Sequence, residues 1–571
     1  MYKVFMTRRF LILLVVLTFF ALRCYPQNIN NDDRLRDIVG EYGQAEVTIP
    51  YANNKALDKL TRNVSILSVR NKIVSISLSP LTVEWFILQK YDYVITEKTD
   101  SKGVISALNI NQAMEWDKYP TYSQYDSIVQ SFKTLYPALC HLDTIGTSIN
   151  GKLVLALKIS DNTGTDEDEP EVFYSSTMHG DETGGFVLML RLADYLLKNY
   201  NLNSRVKNLV DNLEIWINPL ANPDGIYRSG NTISSPTRYN ANGVDLNRNF
   251  PDPFQPLEIQ QKENRDMIKF MRKHNFVISA NFHSGSEVVN YPWDRWFSKL
   301  HADDSWFNSI SRAYADTVHV YSGPAYMNEL DNGVTRGAAW YIIYGGRQDF
   351  VTYELQGREV TIELDDQYIT PAVQLTLLWQ YNWRSLIGYL ENALYGIHGL
   401  VRNASTSAPV PAKVFISGHD KDSSQVYSNI LTGSFVRLLA PGTWNLAFSA
   451  TGYHDTTVNN IIVASGQRTD IIVNMVPIIN SIDTTNPETP ILYPNPATTE
   501  LSAVLPERIM GNISIRIFNQ AGTIFSDYIT EAIQGVPVKI DVKRLSGGIY
   551  SVVFTNTVTK NSCRGRFIVI K

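Results

Sequence analysis

The chain has 571 residues, too many for one ordinary domain, and three or four domains are expected. Apolar residues make up 44% and charged residues 19%, which excludes a disordered chain and favours well-cored domains. The formal net charge is −5 and no basic stripe accompanies the 31 Tyr and 10 Trp, so neither nucleic acid nor an anionic membrane surface is expected as a partner.

Residues 1–26 read as a signal peptide. Lys3, Arg8 and Arg9 precede FLILLVVLTFFAL (10–22), an apolar run of 13 residues that is too short to span a bilayer comfortably. Cys24 invites a lipoprotein reading, but Arg23 stands where such a site needs a small residue, so ordinary cleavage within 22–27 is expected. No other segment is apolar enough to span, and an integral membrane protein is not expected. Only Cys140 and Cys563 remain beyond the signal, so stability must come from core packing and a metal rather than from disulfides.

Residues 27–45 are polar and read as linker. In 46–98, EVTIPYA, KIVSISLS and YDYVITEK alternate as strands, with LTVEWFILQKY as a helix between the last two. The stretch 27–115 is therefore expected to hold a small α+β unit, either an inhibitory pro-domain or a plain structural domain.

From about residue 116 the pattern changes. SQYDSIVQSFKTLYP (123–137) and QQKENRDMIKFMRKHN (260–275) are amphipathic helices, while KLVLALKIS, EVFYSS, LEIWINPL and FVISANF are short apolar strands. Strands interleaved with helices imply an α/β domain over 116–395, a mixed, largely parallel sheet covered by helices. Ligands of such sheets collect at the carboxyl ends of the strands, where His179, Asn218 and His283 fall. From 396 the helices vanish. Residues 396–475 read as a β-sandwich, 476–490 as linker, and 491–571 as a second all-β unit.

MHGDETGGF (178–186) lies at a strand-to-helix turn and sets His179 three residues before Glu182. A catalytic zinc keeps three protein ligands and an open position. The third should come from another strand end, and His283 in ANFHSG is the best placed of the nine histidines. Taken alone, the pair also reads as a turn histidine and an acid favoured at a helix N-terminus. GVDLNRNFPD (243–252) crowds Asp245, Asn247, Arg248 and Asn249 around little apolar material, as a site loop or a solvated loop would. EVTIEL (359–364) puts Val360, Ile362 and Leu364 on one face and Thr361 with Glu363 on the other. A carboxylate in a covered strand is costly unless it serves a site; otherwise this is an exposed edge.

Together NPDG (222–225), GVDLNRNFPD, ANFHSGSEVVNYPWD (280–294), WYIIYGGRQD (340–349) and EVTIEL resemble the zinc carboxypeptidases of the funnel-shaped α/β type, the family of pancreatic carboxypeptidases A and B. The match is nearer the regulatory branch of carboxypeptidases D, E, M and N, and covers roughly 116–395. The resemblance implies one Zn2+ held by His179, Glu182 and His283, with Asp245 orienting a zinc histidine. It implies Glu363 as general base, taking a proton from the attacking water and passing it to the leaving amine. Arg238, nine residues before Asn247, would stabilise the oxyanion. Arg248 would clamp the substrate's terminal carboxylate, with Asn247 donating alongside and Tyr341 closing over the substrate. Asp294, eleven residues after His283, and Gln348 match the branch's pocket for a C-terminal Lys or Arg. Arg347 departs from the pattern, standing beside Gln348 where the branch usually has an uncharged residue; turned inward it would neutralise Asp294 and weaken basic specificity.

GIHGLVRN to NNIIVASGQ (396–468) resembles the transthyretin-like β-sandwich of that branch and is expected to pack on the catalytic domain. ILYPNPATTEL, LSGGIY and a basic last strand (491–571) look like a type IX secretion sorting domain. The implied partners are peptide or protein C-termini and the type IX secretion machinery, and the implied location is secreted or at the cell surface, via periplasm and outer membrane. The acidic loop 161–171 reads as a solvated turn, with a calcium site as the alternative. Two rival functions stay open: a zinc peptidase for apolar C-termini or cell-wall peptides, and a non-catalytic surface binding module on a peptidase scaffold.

Overall fold

The computed structural model describes residues 30–96, 104–165, 167–253, 259–323, 325–478, 489–520 and 522–571. The expected signal peptide lies outside them. The chain divides into two compact units, one running to Val476 and one starting at Pro477.

Within the first unit the chain begins with α1 (Asn31–Tyr42), β1 (Ala45–Pro50), α2 (Asn54–Thr61), β2 (Ser65–Arg70), β3 (Ile73–Leu78), α3 (Val83–Leu88) and β4 (Val94–Thr96). The strands pair in the order β2-β3-β1-β4, all antiparallel. The expected linker over 27–45 is corrected: Asn30 caps α1, its side chain accepting the Asp32 N–H, and Leu35 and Val39 bury one face of the helix.

The catalytic-type domain follows: α4 (Tyr122–Leu135), β5 (Cys140–Thr147), β6 (Leu153–Ile159), β7 (Glu171–Ser176), α5 (Gly184–Asn199), β8 (Glu214–Asn218), α6 (Lys262–Met271), β9 (Phe276–His283), β10 (Ser286–Tyr291), α7 (Asp304–Ser322), β11 (Val334–Arg336), α8 (Arg347–Glu354), β12 (Arg358–Asp365) and α9 (Leu375–Glu391). Eight strands form one mixed sheet, β11-β10-β12-β9-β7-β8-β6-β5. Four pairings are parallel (β10–β11, β12–β9, β9–β7, β7–β8) and three antiparallel (β10–β12, β8–β6, β6–β5). The parallel centre is covered on both faces, so β7 and β8 read as continuous apolar runs. Helix α5 is buried almost all round, which matches its apolar sequence GGFVLMLRLADYLL.

The β-sandwich carries β13 (Gly396–Asn403), β14 (Lys413–Phe415), β15 (Val426–Tyr427), β16 (Ser434–Arg437), β17 (Gly442–Ser449), β18 (Thr456–Val463) and β19 (Arg468–Met475), in sheets β16-β13-β19 and β15-β14-β17-β18. It meets the catalytic-type domain at Asp303. That buried carboxylate pairs with Arg358 of β12 (2.7 Å), Arg437 of β16 (2.8 Å) and His419 (2.8 Å). Burial pushes the Asp303 carboxyl up, but Arg437 and Arg358 outweigh it and hold the group well below the usual carboxylate range.

The second unit is all-β, with β20 (Ile491–Tyr493), β21 (Glu500–Val504), β22 (Gly511–Asn519), β23 (Ile524–Ala532), β24 (Val538–Asp541), β25 (Gly548–Asn556) and β26 (Ser562–Val569). Its sheets, β20-β21-β24 and β23-β22-β25-β26, enclose a core of its own around Ile513, Ile515, Val552 and Phe554.

Candidate active site

The carboxyl ends of β7, β9 and β12 bring the site together. The turn after β7 presents His179 and Glu182, β9 ends at His283, and the parallel register sets Glu363 opposite His283 and Thr361 opposite Asn281. The opposite face of β12, with Val360, Ile362 and Leu364, enters the main core. His179, Glu182 and His283 are all buried and offer ligand atoms within 4.8 Å of one another.

These residues fit a metal on structural grounds. His179 Nε2 lies 3.0 Å from Asp245 Oδ1, which places its proton there and turns the Nδ1 lone pair inward. Yet Nδ1 lies 2.7 Å from Glu182 Oε1 and 3.0 Å from His283 Nδ1. Acceptors converging this closely need a proton or a metal ion between them, and lone pairs of three side chains turned to one point suit a metal. Two imidazoles and a carboxylate form the usual donor set of a catalytic zinc. At His283 the outward nitrogen, Nε2, faces Asn281 Nδ2 at 2.7 Å, while Asn281 Oδ1 is buried without a partner. A half-turn of that amide gives Nε2–H its acceptor. Asn281 escaped the sequence reading, although strand period places it on the face of His283.

Asp245 joins the site's halves. It accepts from His179 Nε2, the Asn247 N–H (2.9 Å), Arg238 Nε (2.9 Å) and Ser65 Oγ (2.6 Å). Arg238 Nη1 also donates to Glu182 Oε1 at 3.2 Å. Burial pushes the Asp245 carboxyl up, but Arg238 and His179 outweigh it and keep the group ionised.

Glu363 lines the same cavity, with Oε2 buried and unpartnered. Burial first, then the Glu182 charge, pushes its carboxyl well above the usual range. Arg248 donates Nη1 to the Asn247 carbonyl (2.9 Å), while Nε and Nη2 are buried without partners. That free edge is the one that holds a carboxylate by two parallel bonds. Asn247 Oδ1 accepts the Arg347 N–H (2.9 Å), which leaves its Nδ2 to donate elsewhere. Asp294 and Tyr341 line the cavity as well. Asn290 Nδ2 donates to Asp294 Oδ1 (3.0 Å), and burial pushes the Asp294 carboxyl up. Gln348 is buried in the first turn of α8 with both amide atoms unpartnered, and it is not among the residues lining the cavity.

Arg347 does not face Asp294. Its Nη2 pairs with Glu359 (3.0 Å) and its guanidinium lies over the Phe173 ring (4.9 Å). Asn218 is likewise internal, donating to the Leu155 carbonyl (2.7 Å) and accepting from Ser175 Oγ (3.0 Å).

The N-terminal unit reaches this site. Ile66 and Leu67 of β2 line the cavity, and Tyr341 and Ile343 belong to that unit's apolar cluster. Gln44 accepts the Arg238 N–H (2.7 Å) and donates to Asp181 (2.7 Å).

Residues 125–385 match the zinc carboxypeptidase family, and 491–570 match a secretion system C-terminal sorting domain. Human carboxypeptidase D is 34% identical over 381 residues, 64% of this chain and 27% of the relative. Arabidopsis thaliana carboxypeptidase SOL1 is 32% identical over 369 residues, covering 62% of this chain and 72% of the relative. The human carboxypeptidase N catalytic chain is 32% identical over 401 residues, covering 62% and 85%. The chain thus spans under a third of carboxypeptidase D but most of the shorter relatives. With a zinc-type donor set at the strand ends and relatives matched over most of their length, the chain belongs to the zinc carboxypeptidase family.

Proposed function

We propose that this protein is a secreted metallocarboxypeptidase that hydrolyses the C-terminal peptide bond of peptides or proteins and releases Lys or Arg. The carrying observation is the pairing of two buried groups in one cavity: the free Nε/Nη2 edge of Arg248 and the carboxylate of Asp294, which Asn290 holds at Oδ1. The first fits a terminal carboxylate and the second a cationic side chain. An apolar side chain would leave Asp294 without a counter-charge. That Arg347 is engaged with Glu359 supports the same reading.

His179, Glu182 and His283 would hold the zinc, which when bound acidifies a water and polarises the scissile carbonyl. The chain's own groups do the rest. Arg248 and Asn247 fix the terminal carboxylate and Tyr341 covers it. Arg238 donates to the carbonyl oxygen as negative charge grows there. Glu363 takes one proton from the attacking water and delivers it to the departing amine as the C–N bond breaks.

The N-terminal unit acts as an inhibitory pro-domain. Ile66 and Leu67 stand in the cavity, and Ser65 and Gln44 hold Asp245 and the Arg238 main chain. The sorting tail implies delivery to the cell surface or beyond by the type IX machinery. No helix of the described residues is long and apolar enough to cross a membrane.

The test is release of the C-terminal residue from peptides ending in Arg, Lys, Leu or Glu, with and without chelator, before and after limited proteolysis. Chelator-sensitive release of Arg and Lys is expected, rising once the N-terminal unit is cut away. Release of Leu instead would overturn the pocket reading, and full activity of the intact chain would make the N-terminal unit merely structural. Zinc bound without any release would favour the binding-module reading.

A further inference from the structure

Beside Asp294 lies a second carboxylate that neither the metal donors nor the clamp uses. Asp349, in the first turn of α8, is 3% exposed. Its oxygens accept the main-chain N–H groups of Asp294 (3.0 Å) and Arg295 (2.8 Å). Two successive amides therefore converge on one side chain, as in an anion nest. The same turn is held by the Ile343 N–H to the Asp294 carbonyl (3.1 Å) and the Ala338 N–H to the Trp293 carbonyl (2.8 Å). On the side-chain end, Asn290 fixes Asp294 Oδ1, and a Cβ built on Gly337 would fall 1.7 Å from that oxygen. Asp294 Oδ1 thus occupies space that only a glycine at 337 leaves open.

Arg347 is engaged with Glu359. Burial outweighs the downward pull of Arg248 on the Asp294 carboxyl and of Arg295 on the Asp349 carboxyl. Burial first, then the Asp294 charge, pushes the Asp349 carboxyl up. Two neighbouring buried acids do not both stay ionised unless a cation shares them, so one keeps its proton until a cation arrives.

We infer that Asp349 is the positioning residue for the specificity acid. It fixes the Asp294 main chain so that the carboxylate faces the substrate's side chain. This rests on the pocket reading above. An Asn at 349 would offer one oxygen and turn its own NH2 against the second amide N–H, so the turn carrying Asp294 would lose one of its two holds.

The test compares wild type, Asp349→Asn, Asp294→Asn and the double variant, each as the full chain brought to maximal activity by limited proteolysis. Substrates are peptides differing only in a C-terminal Arg or Leu. Asp349→Asn should lower the Arg-to-Leu ratio of kcat/KM roughly tenfold, the scale of one lost charge-assisted hydrogen bond. The loss should sit in KM for the Arg peptide, with kcat and the Leu kinetics within about twofold. In the Asp294→Asn background Asp349→Asn should change the ratio no further. An unchanged ratio, a parallel loss on both peptides, or an equal effect without Asp294 would each overturn the inference. If wild type shows no Arg preference, or Asp294→Asn leaves it intact, the pocket reading has failed instead. Asp349→Ser, which keeps one acceptor, carries the test should the Asn variant not fold. Calorimetric binding of free arginine against norleucine reads the same ratio without turnover.

Discussion

Glu363 shows how one side chain takes its role from its surroundings. The strand buries Val360, Ile362 and Leu364 on one side and leaves Glu363 facing the cavity with an unpartnered oxygen. A Glu363→Gln variant keeps the shape but cannot carry a proton. Steady-state assays should show kcat down by about 10²–10⁴, with KM and zinc content near wild type. Unchanged kcat would assign the proton transfer to another group. Asp294 gives a second prediction at this scale. Its carboxyl is raised above the usual value of about 4 by burial. The charged form exists above the raised value and is lost as pH falls through it. KM for Arg peptides should therefore climb on acidification while KM for Leu peptides stays flat. A parallel climb for both would place the titrating group outside the side-chain pocket. Arg248 should tolerate no Lys, since a point charge replaces the two-pronged edge; Arg248→Lys should raise KM about tenfold or more for every substrate, whatever its last residue.

Asp303 ties two elements of different domains, β12 through Arg358 and β16 through Arg437, and neither guanidinium is exposed. Removing the carboxylate leaves Arg358 buried without its counter-charge and Arg437 with Asp420 alone. Asp303→Asn should cost about 3–5 kcal/mol and lower the midpoint of thermal unfolding. Because the folded-state carboxyl is held low, this stability is present above the unfolded carboxyl range and is lost only as pH falls through the folded value. A variant as stable as wild type at neutral pH would show that the pair contributes nothing. Which elements the sequence disclosed follows the same physics. β7, β8 and β9 were legible because burial on both faces leaves apolar runs, and β12 because Val360, Ile362 and Leu364 alternate with polar residues. Helix α1 was not, since NDDRLRDIVGEY buries only Leu35 and Val39. Strand β2 was missed because SILSVR has no alternation. At the site, His179, Glu182 and His283 were legible as polar residues at strand ends, and Glu363 as a carboxylate on the second face of an alternating strand. Asp349 was not, because its partners lie 54 and 55 residues away and no local pattern announces a tertiary hydrogen bond.

For the molecule as a whole, the proposed activity depends on access. A carboxypeptidase must admit a chain end, yet His179, Glu182 and His283 are 2–3% exposed while the N-terminal unit is in place. That unit adheres by its own apolar core, which takes in Tyr341 and Ile343, and by polar links at its rim: Thr61 to the Ile342 carbonyl (2.6 Å), Tyr239 to Ser77 (3.0 Å) and Arg70 to Ser286 (3.0 Å). The tyrosine expected to cover substrate is thus engaged by the chain's own N-terminal segment. Covering the ligands should also slow exchange of the metal, because a chelator must reach the ion or wait for the unit to lift. Zinc transfer to a chromogenic chelator should therefore be slow in the intact chain and at least tenfold faster after proteolytic removal of the unit. Ser65→Ala with Gln44→Ala should fall between the two, since they delete the links to Asp245, Asp181 and the Arg238 main chain and leave the donors untouched. Equal transfer rates in all three would mean that the unit does not guard the site. Faster transfer without a gain in peptide hydrolysis would separate metal access from substrate access, and would place the remaining block at Ile66 and Leu67 in the cavity itself.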